Sequence, residues 1–351
     1  MNEHGKVQQK ISCIFETSVL EEPSSKRSYQ PFRVVASNRI RSQAIEDDIS
    51  VAKATEKLDG TCCYIAEYQG KPWLWARLDR KPNKAADKKF KKFSALRTQW
   101  EQDGKQGAEP VFEWNFPGDF KEVPEEWIPA LGVPLIKDQP VPDSNGHIPG
   151  WVPVDPKSRQ HLWHLSAVDL TSGLALILRE ESEAESNLLI ELVPLSQLVG
   201  CTLELIGTNV NANPYGLGNK KSPLHVLVVH GCISLKEPPP QELEAIREWF
   251  QTNQNGCVEG IVWHCNNRSL YKLHRHHLNL PWPLKDSSKP SFSQRSVKIS
   301  VDSLKYEIND DNKKSVIWKL SQFNEHICED LCKLNNVIEQ TTDGGGGDVG
   351  S

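Results

Sequence analysis

The chain has 351 residues, enough for one large domain or two. With 38% apolar and 25% charged residues it can build a substantial core, which excludes collagen, coiled-coil and wholly disordered classes. A formal charge of −5 excludes a protein that coats nucleic acid through overall basicity, yet leaves room for a local basic groove. The opening MNEHGKVQQKISCIF is too polar for the core of a signal peptide. No apolar run approaches the roughly 18 residues that span a bilayer. Nine cysteines at irregular spacing, with no CxxC, fit reduced thiols in an intracellular compartment. Cytoplasm, nucleus and mitochondrial matrix all stay open.

The first clear element is a strand pair in residues 50–78. TCCYIAEY and KPWLWARL are joined at Gln69-Gly70 and are rich in β-branched and aromatic residues. Segment 77–97 then gathers nine basic residues against two acidic ones, a net of +7. Its lysines include Lys84, Lys88, Lys89, Lys91 and Lys92. Such a run is either a solvated helix face or a seat for RNA phosphates, with Trp73, Trp75, Phe90 and Phe93 nearby for stacking. Residues 117–159 are rich in Pro and Gly and read as loops. Strands are expected at 174–179, 188–193, 201–206 and 224–230. QELEAIREWF reads as a short helix after a proline run. CVEGIVWHC and SLYKLHRHH are expected to pair across Asn266-Asn267. PWPLKDSSKPS resembles a linker. Ile317, Leu320, Phe323, Ile327, Leu331, Leu334 and Ile338 recur every three or four residues, the pattern of one amphipathic helix. TTDGGGGDVGS closes the chain as a flexible tail.

Within this frame Lys57-Leu58-Asp59-Gly60 carries the sharpest chemistry. A lysine becomes a nucleophile only on losing a proton, which its free pKa of about 10.4 opposes. Burial or a neighbouring cation eases that loss, and Gly60 permits close backbone approach to a phosphate. A lone KxDG also fits an ordinary surface turn. Its companions are Arg77, 20 residues on, Glu204 in TLELIG, Glu259 in EGIV, and Lys272 in LYKLH. A two-residue turn at Asn266-Asn267 would set Glu259 opposite His274 and share their face with Lys272; a three-residue turn would reverse that parity. Two carboxylates, two lysines and an arginine from separate strands can bind a metal–triphosphate and present an amine to it.

Taken together, KLDG (57–60), Arg77, Glu204, EGIV (259–262) and Lys272 resemble the covalent nucleotidyltransferase superfamily of polynucleotide ligases and RNA capping enzymes. With PWLWARLDRKPNK, TLELIGTNVNANPYGLG and HRHHLNLPWP added, the pattern is similar to the animal ATP-dependent 5′-3′ RNA ligases over roughly residues 10–285. The resemblance implies an α+β nucleotidyltransferase fold, the ATP-grasp-like ligase adenylation fold of antiparallel sheets flanked by helices. It implies an adenylation domain over 1–284 with a long insertion at about 98–200. A partly helical C-terminal extension would follow at 285–340, then a tail at 341–351.

The same resemblance implies that Lys57 attacks the α-phosphate of ATP and becomes a lysyl-adenylate. Arg77 would lie near nucleotide and RNA end, Glu204 on the ribose hydroxyls, Glu259 on the metal, and Lys272 on the α-phosphate. Glu56 would face the adenine edge and Val262 its ring. Asp59, Glu204 and Glu259 are the implied metal ligands, with magnesium the expected ion and manganese a substitute. RNA with 5′-phosphate and 3′-hydroxyl ends would be the partner, with no membrane and no obligate protein partner.

His274 stands where such families often carry a second lysine, and counts among the nucleotide contacts. LHVLVV offers aliphatics and His225 where an aromatic usually stacks on adenine. No late basic–acidic OB-domain motif follows Lys272, unlike DNA ligases and capping enzymes. A capping-type nucleotidyltransferase and a non-catalytic RNA-binding module with the same fold are the alternatives. His274, His276, His277, His264 and Cys265 lack standard zinc spacing. Cys62 and Cys63 read as small core residues. Glu113 in PVFEWNF is a further strand carboxylate, less well placed than Glu204.

Overall fold

The computed structural model of the protein describes residues 6–23, 32–181, 187–284, 289–306, 308 and 315–343. The expected tail from 344 on, and residues 285–288 of the expected linker, lie outside them. Mixed α+β architecture with large, mainly antiparallel sheets and few helices is observed. Two compact units form. The first is built from Ile11–Leu74 and from Val154 onward; the second takes Gln8–Lys10 and Trp75–Pro153. Residues 98–153 therefore lie in the second unit, while 154–200 return to the first and supply Leu174–Glu180 and Leu188–Pro194 to its sheet.

In the first unit a four-stranded sheet runs in the order Ser12–Cys13, Leu270–His274, Gly260–His264, Lys53–Lys57. Its three longer strands pair antiparallel. One face is packed by the Leu243–Thr252 helix, whose buried Leu243, Ile246, Trp249 and Phe250 follow the three-and-four spacing of a helical stripe. Trp263, Ile261 and Leu273 meet it from the sheet, each with almost no exposed surface. Burying each such side chain contributes on the order of 1.5–3 kcal/mol.

The larger sheet of this unit places Thr61–Tyr68 beside Thr202–Gly207, then His225–Val229, Leu174–Glu180, Leu188–Pro194, Val297–Ser300 and Ile327–Cys328. Leu176, Leu178, Ile190, Ile206, Val226 and Val228 form its fully covered apolar face. Residues after 290 complete that core rather than standing apart: Val297–Ser300 pairs parallel with Leu188–Pro194, and Leu331, Leu334 and Ile338 are buried in the same cluster. The single amphipathic helix expected over 317–338 is replaced by Val316–Ser321, a short strand Ile327–Cys328, and Leu334–Asp343. Two features break it. Glu325 adopts a φ of 66°, and the backbone there bonds to Ile299 in both directions, Glu325 N–H to its carbonyl and Ile299 N–H to His326.

The strands Thr61–Tyr68 and Lys71–Arg77 leave a two-residue turn in which Gln69 (φ 52°) and Gly70 (φ 77°) are both left-handed. That is the turn whose twist suits a tight hairpin. In the second unit, Trp151–Pro153 pairs with Trp75–Arg77, and a long helix spans Lys84–Gln102. Asn83 caps it, its side chain accepting from the amides of Ala85 and Ala86 at 3.1 and 3.0 Å. No helix among the described residues is long and apolar enough to cross a membrane.

Candidate active site

Strand register assembles the lysine side of the site. Lys57 pairs with Gly260, which pairs with His274; Thr55 pairs with Val262, which pairs with Lys272. Paired residues project to one face, so Lys57, His274, Val262 and Lys272 share a surface. Lys57 and Lys272 sit two strands apart, roughly 10 Å in the pairing direction. Gly260 leaves the floor between Lys57 and His274 bare. A Cβ there would stand 2.4 Å from the Leu273 carbonyl oxygen, so the backbone itself requires glycine.

The turn after Gly260–His264 holds three residues, 266–268, with Arg268 at φ 75° and Cys265 N–H bonded to Ser269. The two-residue pairing of Glu259 with His274 is thereby corrected by one position. Glu259 instead lies just ahead of the strand, where alternation no longer dictates its direction. Its buried carboxylate accepts from Lys57 Nζ at 2.6 Å. Lys57 is about a quarter exposed and also reaches the Leu58 carbonyl at 3.4 Å. Burial alone would push the Lys57 amine down, but the carboxylates of Glu259, Glu204 and Asp59 reverse this and hold it above its ordinary value. In this state it is an ammonium.

Arg275 sets the position of Glu259, a role no sequence motif announced. Its buried guanidinium donates to the carbonyls of Val258 (2.8 Å), Phe250 (2.6 Å) and Gly256 (2.7 Å). Its backbone N–H bonds the Glu259 carbonyl at 2.9 Å. Four ties thus fix the segment that delivers the carboxylate.

The acidic side belongs to the larger sheet. Glu204 pairs with Cys62 on one side and Val228 on the other. One Glu204 oxygen is 2.9 Å from Nε2 of His230, whose Nδ1 is 2.9 Å from the Thr202 hydroxyl. Gly60 lets the turn after Lys57 lie against this strand. A Cβ would come within 2.3 Å of the Leu205 carbonyl oxygen and 2.8 Å of the Glu204 side chain. Asp59 holds the turn rather than projecting freely. Its two oxygens accept from Asn211 (2.9 Å) and the Trp282 indole (2.8 Å), and its N–H donates to the Tyr215 hydroxyl (2.8 Å). Asn211 also donates to the Gly60 carbonyl at 2.7 Å. Asn211 lies in the loop NVNANPYGLG, and nothing in the sequence marked it as a partner of Asp59.

Glu56 is not brought beside Lys57. It pairs with Ile261, on the opposite parity of the strand. Its Oε1 is sealed from solvent without a hydrogen-bond partner, and burial pushes the carboxyl up to about 8. His225 is buried, bonded to the Thr208 carbonyl and the Ser166 hydroxyl, each at 2.7 Å. Its ring lies near-parallel to Trp163, the centroids 6.2 Å apart.

In the second unit, Arg77 donates to Asp79 and to the Gln8 carbonyl, both at 2.6 Å, and lies over the Trp151 ring. Lys84, Lys88, Lys89, Lys91 and Lys92 are all exposed. At 100° per residue they occupy roughly 160° of the helix circumference. Phe90 and Phe93, on the other side, pack with Phe112 and Trp114, so they are not splayed for stacking. Trp75 is buried, and Trp73 donates its indole N–H to the Val154 carbonyl. Glu113 falls in an irregular segment, not a strand.

The oxygen donors whose charge acts on Lys57, Glu259 in direct contact and Glu204, are of the kind that suits a hard cation. Asp59 is less available, both oxygens being engaged.

A family model described as RNA ligase 1 matches residues 1–337. Curated relatives named RNA ligase 1 include one from Danio rerio, 51% identical over 302 residues, covering 86% of this chain and 89% of its own. One from Rattus norvegicus is 47% identical over 343 residues, 98% of this chain and 100% of its own. Another from Mus musculus is 51% identical over 293 residues, covering 83% and 87%.

Proposed function

Because the chain belongs to the RNA ligase 1 family, we propose that it joins a 5′-phosphate to a 3′-hydroxyl of RNA at the expense of ATP. The observation that carries the reading is Lys57 Nζ, 2.6 Å from the buried Glu259 carboxylate, on the same sheet face as Lys272. The first step forms a P–N bond between Lys57 and the α-phosphorus, breaks the bond to the β-phosphate, and releases pyrophosphate. The amine must first shed a proton, and Glu259 Oε2 is the acceptor already in contact. Lys272 supplies fixed positive charge for the α-phosphate, and the Glu204 carboxylate offers acceptors to ribose hydroxyls. Val262 gives the base an apolar neighbour.

In the second step an RNA 5′-phosphate oxygen displaces Lys57, forming RNA-adenylate and returning the amine. In the third, the 3′-hydroxyl attacks the RNA 5′-phosphorus, and AMP leaves. Magnesium, held through Glu259 and Glu204, would supply charge neutralisation of the phosphates. The exposed lysines of Lys84–Gln102 form a face suited to RNA phosphates.

The test runs two variants on two substrates. Lys57→Ala should fail with 5′-phosphate RNA and ATP, yet retain some sealing of pre-adenylated RNA without ATP. Glu259→Ala should impair both reactions. Nucleotide transfer from GTP alone would favour a capping-type enzyme, and no transfer from any nucleotide a binding module. Failure of the wild type to seal pre-adenylated RNA with any divalent metal would overturn the ligase reading.

A further inference from the structure

Glu204 has two neighbours that the joining reaction does not use. The Sγ of Cys62, a carboxylate oxygen of Glu204 and a ring nitrogen of His230 all lie within 4.8 Å of one another. No other trio of His, Cys, Asp or Glu among the described residues comes this close in a metal-holding arrangement. The cause is the sheet itself. Cys62 and Glu204 are register partners on adjacent strands, and His230, whose N–H bonds the Thr202 carbonyl, follows the next strand.

The donor set is one sulfur, one nitrogen and one oxygen. Magnesium takes oxygens almost exclusively, whereas zinc favours thiolate and imidazole and accepts carboxylate. Three protein donors leaving a fourth position is the pattern of an open zinc site, which needs donor atoms roughly 3.3–3.8 Å apart. The three donor atoms lie within 4.8 Å of one another, and His230 Nε2 and the Glu204 oxygen, now 2.9 Å apart as a hydrogen bond, would part slightly to share an ion. A second observation points the same way. The other imidazole nitrogen, Nδ1, is tied to the Thr202 hydroxyl, which in turn accepts from the Val7 amide at 2.7 Å. Such an outer contact orients a ligating histidine with its second nitrogen toward an ion.

We propose that Cys62, Glu204 and His230 form a binding site for a zinc-class cation, which shares Glu204 with the hard cation that accompanies ATP. Filling it engages Glu204 and thereby withdraws this carboxylate from nucleotide binding. The binding half stands on the geometry alone; the inhibitory half rests on the function proposed above.

Cobalt(II) titration of the full chain without nucleotide decides the first half. One equivalent should develop a thiolate-to-cobalt charge-transfer band that zinc removes. Cys62→Ser should lose the band and weaken binding at least tenfold; His230→Gln should keep a thiolate band but also weaken binding at least tenfold. A missing band, a band that survives Cys62→Ser, or unchanged affinity in His230→Gln overturns the site. For the second half, near-stoichiometric zinc should slow self-adenylylation with magnesium and ATP at least tenfold in wild type. Cys62→Ser should be spared. If cobalt binds as described and zinc leaves adenylylation unchanged, the inhibitory half is wrong. If no adenylylation occurs even without zinc, the ligase reading fails, and the cobalt titration still decides the site.

Discussion

The four-stranded sheet presents Lys57 and His274 across the bare backbone of Gly260, and Lys272 in the neighbouring row across Val262. On the larger sheet the corresponding groups are Cys62, Glu204 and His230, their donor atoms within 4.8 Å of one another and His230 bonded to both Glu204 and Thr202. Lys57 and Lys272 on the first sheet are kept two strands apart, so each can meet a different part of an anionic substrate. Groups on the second are kept together, which suits holding one ligand by several donors. Their supports differ accordingly. The lysine side depends on turn length and on Arg275, the acidic side on the absence of a side chain at Gly60.

Glu259 joins the two chemistries, so its loss should have the largest effect. Glu259→Ala is expected to slow self-adenylylation roughly 1000-fold, a magnitude typical for a buried electrostatic contact to a reacting group. The pH profile sharpens this. Neighbouring carboxylates raise the Lys57 pKa, so the reactive neutral amine is gained only as pH rises. Wild-type single-turnover rates should climb through the alkaline range, and Glu259→Gln should move that rise to lower pH while lowering its plateau. A profile in Glu259→Gln with its rise unmoved would remove Glu259 from control of the proton.

The basic helix of the second unit should act on RNA and not on nucleotide. Reversal of Lys84, Lys88, Lys89, Lys91 and Lys92 to Glu is expected to weaken RNA binding about 100-fold at low salt. It should also flatten the salt dependence, by up to about 0.7 in logarithmic slope for each phosphate that these lysines no longer neutralise. Adenylylation should stay within about twofold. Unchanged affinity across a salt series would return this helix to a solvated surface.

Gly60→Ala tests the acidic side. Its methyl would press on the Leu205 carbonyl, which is backbone and cannot swing away. Adenylylation should fall about tenfold and stability by about 1–3 kcal/mol, as for other overpacked sites. Equal activity and an unchanged melting midpoint would show that the turn has more freedom than the close approach implies.

The smallest expected effect is at Glu56. Its folded pKa of about 8 lies above the unfolded value, so this group lowers stability as pH rises from about 4.5 to 8. Glu56→Gln should raise the melting midpoint by a few degrees at pH 9 and hardly at all at pH 5. The opposite ordering would mean that the carboxyl is ionised in the fold.

Local signals announced much of this arrangement. The Gln69-Gly70 turn, the amphipathic 243–252 helix and the KLDG turn are set by neighbours in sequence, and each formed near its expected place. Register past Asn266 could not be read, because Arg268 in a left-handed conformation adds one residue to the turn and flips the parity of the Glu259 inference. Apolar spacing over 317–338 marked Leu320, Leu331, Leu334 and Ile338 as core but also Ile327, which is exposed, and it missed the element, since tertiary pairing with Val297–Ser300 outweighed helical continuity. Arg275 and His230 act through carbonyls and side chains distant in sequence, so no spacing rule could reveal them.

The most direct test of the central claim is intact-mass analysis after incubation with ATP and magnesium, followed by mapping of the modified peptide. One adenylyl group should be gained, located on Lys57, and Lys57→Arg should gain none because a guanidinium stays protonated. An adenylyl group found on another residue, or an unaltered mass with ATP, would contradict the account.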